Sequence, residues 1–250
     1  MTGIFNTLFY QPLYNALVFL VSILPGASLG FAVIFLTLFV KIVLFPLSHK
    51  SVSTQAKIRT LDPHIKKIRE EVKDNKQAEA QKIMALYQEH GVNPFSGCFL
   101  LIIQLPIIFA LYWVFLKGIK PDSGLLYSFI SFPHEINTMF LGLIDMHGKS
   151  IALALIAGIT QFFQIKLSMP PTPPETPGEK QSFKDELAKS MSVQMRYVMP
   201  VFVAFIAYTI SAAVALYWIT SNCFSIGHEL FVRRKAKKLL SVDTSQKTPA

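Results

Sequence analysis

Apolar residues dominate four stretches of the chain, Leu29 to Leu47, Gly97 to Lys117, Ser150 to Leu167 and Tyr197 to Ile226. A membrane-crossing helix needs about 20 such residues, within a range of about 17 to 25. The first three stretches therefore predict one span each. The fourth is too long for one helix and short for two.

Polar and basic residues collect between these stretches and decide the parity. Lys50 to Lys82 is strongly basic and also holds Lys57, Arg59, Lys66, Lys67, Arg69, Lys73 and Lys76. Lys166 to Arg196 holds Lys180, Lys184 and Lys189, and the tail holds Arg233, Arg234, Lys235, Lys237, Lys238 and Lys247. Gly118 to Gly148 holds only Lys120. Basic loops mark the cytoplasmic side. The segments before Arg196 and after Arg233 thus share a side, and an even number of crossings joins them. The last stretch predicts two helices with a turn near Ile210 to Ala213, the first helix being short.

The flanking segments carry their own patterns. Ile4 to Leu24 is apolar and aromatic but interrupted by Asn6, Gln11, Pro12 and Asn15. It could span the membrane or lie in the interface as an amphipathic helix; parity allows both, and the interfacial placement is preferred. It lacks the basic start and small-residue cleavage site of a secretory signal. In Ser48 to Asn93, Ile58, Leu61, Ile65, Ile68 and Val72 recur at helical spacing, as do Ala80, Ile83 and Tyr87, which predicts a helical hairpin. Asp62-Pro63 suits an N-cap followed by proline at the first helical position, and Gly91 is placed to end the second arm. Pro170 to Pro177 reads as a proline-rich linker, followed by a helix over Ser182 to Met195.

Composition agrees with this pattern. The 250 residues are 52% hydrophobic and 16% charged, with a mean hydropathy of +0.42, whereas a soluble domain carries about a quarter charged residues. The net charge of +9 does not imply a nucleic-acid binder, because no compact basic fold remains once the spans are removed. Cys98 and Cys223 lie in apolar stretches without metal-ligand spacing and read as buried free thiols. His134-Glu135 and His228-Glu229 lack the second histidine of a metalloprotease helix. His49, His64, His90 and His147 read as solvated loop residues. Neither a metal, a nucleotide cofactor nor a hydrolase constellation is predicted.

The residue that stands out is Lys41, inside the first apolar stretch. A lysine at mid-membrane costs about 2.5–3.5 kcal/mol on insertion-based scales. Snorkelling to the nearby cytoplasmic face is one way to offset this; a hydrated polar cavity is the other. Gly30, Thr37, Lys41 and Ser48 share one helix face. Ser150, Ala154, Ala157, Gln161, Gln164 and Ser168 form a second polar and small-residue stripe, and Ala215, Trp218, Asn222 and Ser225 a third, with Gln104 inside the second span. Such stripes often mark helix-packing seams, but several beside one cation favour a shared hydrated cavity. No acidic partner for Lys41 is expected in any span, which argues against an ion relay.

Several local motifs extend the picture. Gln11-Pro12-Leu13, Phe45-Pro46-Leu47, Met84-Ala85-Leu86-Tyr87, Val92-Asn93-Pro94 with Gly97-Cys98, and Gln104-Leu105-Pro106-Ile107 follow in order. Met199-Pro200, then Leu216-Tyr217-Trp218 with Ser221-Asn222, complete the series. From about Phe5 to Arg234 the chain resembles the YidC insertase family of the Oxa-type superfamily. The resemblance implies an all-α integral membrane protein, with a five-span helical core around a polar groove, an outer interfacial helix and a cytoplasmic helical hairpin. The groove is expected to open to cytoplasm and lipid and to close on the outside. The family's groove cation is normally arginine at the position of Lys41; lysine keeps the charge but lacks the planar multi-donor fork. The turn Ser211-Ala212-Ala213 departs from the family's frequent Pro-Ser-Gly. The large outer domain and extra first span of many Gram-negative members are expected to be absent.

The expected organisation is an outer-surface interfacial helix at 1–27, a first span at 28–48, the cytoplasmic hairpin at 49–95 and a second span at 96–117. An outer loop at 118–149, a third span at 150–168 and a cytoplasmic proline-rich loop at 169–193 follow. The fourth and fifth spans occupy 194–231 and a basic cytoplasmic tail 232–250. The resemblance implies a non-enzymatic insertase of the bacterial inner membrane, multi-pass, with its N-terminus outside and its C-terminus in the cytoplasm. Its groove would comprise Lys41, Thr37, Gln104, Gln161, Gln164, Trp218 and Asn222. Nascent membrane proteins are the implied clients, with membrane lipids around them. A Sec translocon and the ribosome, and ribosomal RNA through it, are candidate partners; no other nucleic acid and no cofactor is implied. A small transporter or channel with a buried cationic site is the alternative, against which stand the missing inverted repeat and paired intramembrane charges.

Overall fold

A computed structural model describes residues 3–72, 75–93, 96–120, 124–169, 190 and 192–246, with the backbone alone described at 76, 96–101 and 235–246. The expected linker over 170–177, most of the helix expected over 182–195, the side chains of Cys98, Lys235, Lys237 and Lys238, and Lys247 lie outside what is described. The helices are α1 Gln11–Ile23, α2 Leu29–Val43, α3 Phe45–Thr60, α4 Asp62–Glu71 and α5 Lys76–Glu89. They continue with α6 Ser96–Lys117, α7 Ile151–Ser168, α8 Met199–Ile210 and α9 Ala212–Gln246. A π-helical turn, Asn6–Tyr10, leads into α1, and another, Gln194–Val198, leads into α8. The chain divides into two units, one of residues 1–43 and 103–226, the other of 44–102 and 227–250.

In the first unit the helices bury one face and expose a second that is equally apolar. Along α2, Leu29, Ala32, Val33, Leu36 and Val40 are buried, while Phe31, Phe35, Phe39 and Ile42 form an exposed stripe, Phe39 at 59% and Ile42 at 62% exposure. On α7, Ile151, Leu155, Ile159 and Phe163 are likewise exposed. Continuous exposed apolar stripes of this kind are stable when the surrounding solvent is lipid. By length and composition Gly3–Ile23 and Ile151–Ser168 can each cross a membrane, and Leu29–Val43 with Phe45–Thr60, broken at Leu44, make a third if counted together. The apolar helices Ile102–Lys117 and Gln194–Ile210 are shorter.

The polar residues that interrupt the N-terminal segment are tertiary contacts. Tyr14 Oη donates to the Lys120 carbonyl at 2.7 Å and accepts from the Lys120 N–H at 3.0 Å. Asn15 Nδ2 donates to the Leu125 carbonyl, and its Oδ1 accepts from the Tyr127 N–H, both at 2.8 Å; Gln11 Nε2 also reaches the Leu125 carbonyl. These bonds satisfy the backbone of an irregular segment that has no ladder of its own.

The 118–149 segment is not purely loop. Met139–Phe140 (β1) pairs antiparallel with Ile144–Asp145 (β2), Met139 opposite Asp145. The described chain is mostly helical, as expected, and the two-stranded ribbon adds a detail too short to leave a periodicity to read. The ribbon lies on the start of α2: the Phe140 ring covers Gly30, and Leu29 N–H donates to the Asn137 carbonyl at 2.9 Å. The same segment caps α9. Ala212 N–H donates to the Gly148 carbonyl at 2.8 Å and Ala213 N–H to the Met146 carbonyl at 3.1 Å. Two of the four unpaired N–H groups at a helix start are satisfied in this way. The break between α8 and α9 is the single extended residue Ser211, within the stretch where charge parity asks for a turn.

Small residues set the α7–α8 approach. A Cβ on Gly158 would stand 3.0 Å from both the Ala204 Cβ and the Pro200 carbonyl oxygen, so only glycine fits without backbone movement. Ala154 and Ala157 are buried on the same side.

In the second unit α4 and α5 pair as a hairpin over a small core of Leu61, Ile65 and Val92, with Ile58, Ile83, Leu86 and Tyr87 against it. Asp62 lies one residue inside the helix and makes no side-chain cap bond; Leu61 occupies the cap and Pro63 the first turn. Asn75 caps α5 through Ala78 N–H at 3.0 Å. Gly91, at φ +61°, reverses the chain after α5 so that Val92 N–H bonds back to the Tyr87 carbonyl at 2.9 Å. The pairs Arg69–Glu79 and Lys82–Glu71, each 3.2 Å, join the arms.

Candidate functional site

Lys41 is half-buried on α2, one turn beyond Thr37. Its Nζ donates to Ser225 Oγ on α9 at 3.3 Å, and Ser225 Oγ in turn donates to the Ser221 carbonyl at 2.9 Å. Among the described residues no carboxylate pairs with this ammonium. Thr37 is buried, with its hydroxyl donating to the Val33 carbonyl at 2.7 Å, so its hydrogen is committed within the helix. The stripe that places Ser48 on the same face as Lys41 does not persist. The helix ends at Val43 because Pro46 lacks an N–H and opens a new helix after Leu44.

The α9 face gathers the other polar groups. Asn222, 5% exposed, donates from Nδ2 to Thr160 Oγ1 on α7 at 3.2 Å, one turn from Ser225. Gln104 Nε2 on α6 donates to the Tyr217 hydroxyl at 3.1 Å. On α7, Gln161 donates to Gln164 at 3.3 Å and Gln164 to Ser168 at 3.1 Å. The α7 stripe thus divides: Ala154 and Ala157 form a dry seam, and Gln161, Gln164 and Ser168 form a hydrogen-bonded run. Trp218 has different surroundings. With Tyr217 it lines an apolar pocket of about 240 Å³, closed by Ile108, Phe109 and Tyr112 of α6 and Ile206 and Ile210 of α8. Cys223 on this helix is exposed, not buried as expected, since it falls between the packed positions Asn222 and Ser225.

Residues 19–239 match the model of the family described as 60Kd inner membrane protein. This chain belongs to that family, the YidC/Oxa1 inner membrane proteins. Its relatives include proteins named membrane protein insertase YidC from Francisella tularensis subsp. novicida (strain U112) and from subsp. tularensis (strain SCHU S4). Each is 33% identical over 205 residues, 82% of this chain and 32% of the relative. The chain therefore spans about a third of the length of the curated relatives it matches. As a YidC/Oxa1 family member with candidate spans, it is an inner membrane protein in kind.

The second unit of this YidC/Oxa1 protein holds a buried cluster that periodicity did not mark. Glu229, 2% exposed, accepts at Oε1 from Arg59 Nη1 at 3.3 Å and from Arg233 Nε at 2.9 Å. His49 is not a solvated loop residue: its Nδ1 lies 3.1 Å from His228 Nε2, the two rings stack, and Phe45 packs on both. Burial lowers the Arg59 guanidinium pKa, while the Glu229 and Asp62 carboxylates pull it back up. Burial also raises the Asp62 carboxyl, against Arg59, Lys66 and Arg69, and the Tyr87 phenol. The only available signal was the dipeptide His228-Glu229 seven residues beyond Ser221. Among the described residues no group of three His, Cys, Asp or Glu side chains could hold a metal ion.

Proposed function

We propose that this chain is a membrane protein insertase, giving nascent membrane proteins a hydrated, positively charged groove open to cytoplasm and lipid. The observation that carries this reading is the half-buried Lys41 ammonium, held by a neutral hydroxyl on the polar face of α9 and, among the described residues, facing no carboxylate. A cation in that state keeps an unneutralised attraction for an acidic segment. Water beside Asn222, Thr160, Gln161 and Gln164 lowers the cost of bringing polar backbone to membrane depth. No nucleotide is needed, since the client's own apolar burial in lipid drives release, and membrane potential adds about 2.3 kcal/mol per charge per 100 mV.

The proposed topology has five spans, at 28–48, 96–117, 150–168 and two within 194–231, with hairpin and tail in the cytoplasm and the N-terminus outside. Gly3–Ile23 is long enough to cross, but an interfacial placement accounts better for its contacts. Were it a span, the mid-helix residues Gln11, Tyr14 and Asn15 would hold the non-helical backbone at Lys120, Leu125 and Tyr127 near the bilayer centre. Backbone of that kind is not stable against lipid.

The test is insertion of a single-span client with an acidic tail into liposomes holding the chain. Lys41→Ala is expected to lower insertion about tenfold, equivalent to about 1.4 kcal/mol, while Lys41→Arg retains it and a neutral-tailed client is unaffected. Equal loss for both clients would overturn the charged groove.

A further inference from the structure

We infer that Ser225 is a positioning residue, which holds the Lys41 ammonium in the groove and presents it to an acidic client segment. A serine hydroxyl has one hydrogen and two lone pairs. The Ser225 hydrogen goes to the Ser221 carbonyl one turn earlier, at 2.9 Å, which leaves its lone pairs to the Lys41 ammonium at 3.3 Å. The hydroxyl is therefore a fixed acceptor. It takes one of the three ammonium hydrogens and leaves two for a carboxylate, which accepts through two oxygens.

The need for such a group follows from the side chain it serves. Lysine is a flexible four-carbon stem with a point charge, and an unheld ammonium two residues from the helix end at Val43 relaxes toward water. A planar guanidinium at this position could make several bonds at once; lysine needs one well-aimed partner. Asn222 spends its amide N–H on Thr160, and among the described residues no bond joins it to the ammonium. Thr37 is buried on the lysine's own helix, and among the described residues the ammonium bonds to Ser225 and not to it. Ser225 is thus the partner that fixes where the charge sits, whereas Lys41 supplies the charge.

The inference rests on the charged-groove reading, so one readout is independent of it. Trace acetylation of the reconstituted chain, read by peptide mass spectrometry, measures exposure and freedom of the Lys41 amine against Lys149 as internal control. Ser225→Ala is expected to raise Lys41 acetylation severalfold with Lys149 unchanged, and Ser225→Thr, which keeps the hydroxyl, to match the native chain. In the insertion assay Ser225→Ala should impair acidic-tailed clients severalfold and spare neutral-tailed ones. Ser225→Asp, which neutralises the ammonium, should impair them further. Unchanged Lys41 acetylation in Ser225→Ala, or a threonine variant behaving like alanine, overturns the positioning role. Altered acetylation with unaltered insertion upholds the tether and overturns the groove mechanism instead.

Discussion

Lys41 and Glu229 are two ionisable side chains withdrawn from water in opposite ways. Lys41, in the first unit, has a hydroxyl as its hydrogen-bond partner and faces no carboxylate among the described residues. Glu229, in the second, is gripped at one oxygen by both Arg59 and Arg233. Desolvation opposes both charges, but only the carboxylate has opposite charge close by to offset part of that cost. A neutralised buried charge fixes structure, and an unneutralised one retains its attraction for something else. The contrast assigns the second cluster to holding α3 against the end of α9 within its unit; recruiting an acidic client is the role proposed for the first.

The contrast breaks first at Glu229. Glu229→Gln is expected to lower stability by about 2 kcal/mol, because the charge-assisted bonds from Arg59 and Arg233 to a buried carboxylate become bonds to a neutral amide. Thermal loss of helical signal in detergent measures it, and an unchanged midpoint would remove the structural role of the cluster. Next, Lys41→Leu is expected to shift that midpoint in the opposite direction, by about 1 kcal/mol, since an unpaired cation gives way to an apolar side chain. A destabilised Lys41→Leu would mean that the lysine is itself a structural anchor. The smallest effect is at Asp62, whose carboxyl pKa is raised by burial. The folded hairpin then binds the proton more tightly than the unfolded chain, so stability falls as pH rises from the ordinary 3.8 through the raised value. Asp62→Asn should flatten that slope and leave the neutral-pH hairpin slightly more stable, as followed by pH-dependent unfolding.

Much of the architecture was legible because it depends on local periodicity. The apolar faces of α2 and α7, the break at Ser211 and the hairpin core of Leu61 and Ile65 with Tyr87 all lie where spacing or charge parity put them. Lys41 was legible for a related reason, since a cation inside an apolar run is anomalous wherever it points. Its partner was less so: Ser225 appeared as one member of a stripe, and nothing in the stripe separates it from Ala215 or Trp218. Trp218 in fact lines an apolar pocket.

The sequence alone determined that the chain belongs in a membrane, which helices form and which residue is the unusual cation. Each of these follows from the free energy of placing a side chain in water, lipid or a helix turn. Only the tertiary structure decided that Asn15 and Tyr14 secure the backbone at Lys120, Leu125 and Tyr127, that His49 meets His228, and that Ser225 receives Lys41. These pairs lie more than a hundred residues apart in the chain. A directional bond over that distance depends on how helices dock, and helical periodicity records which face is turned inward but not what waits there.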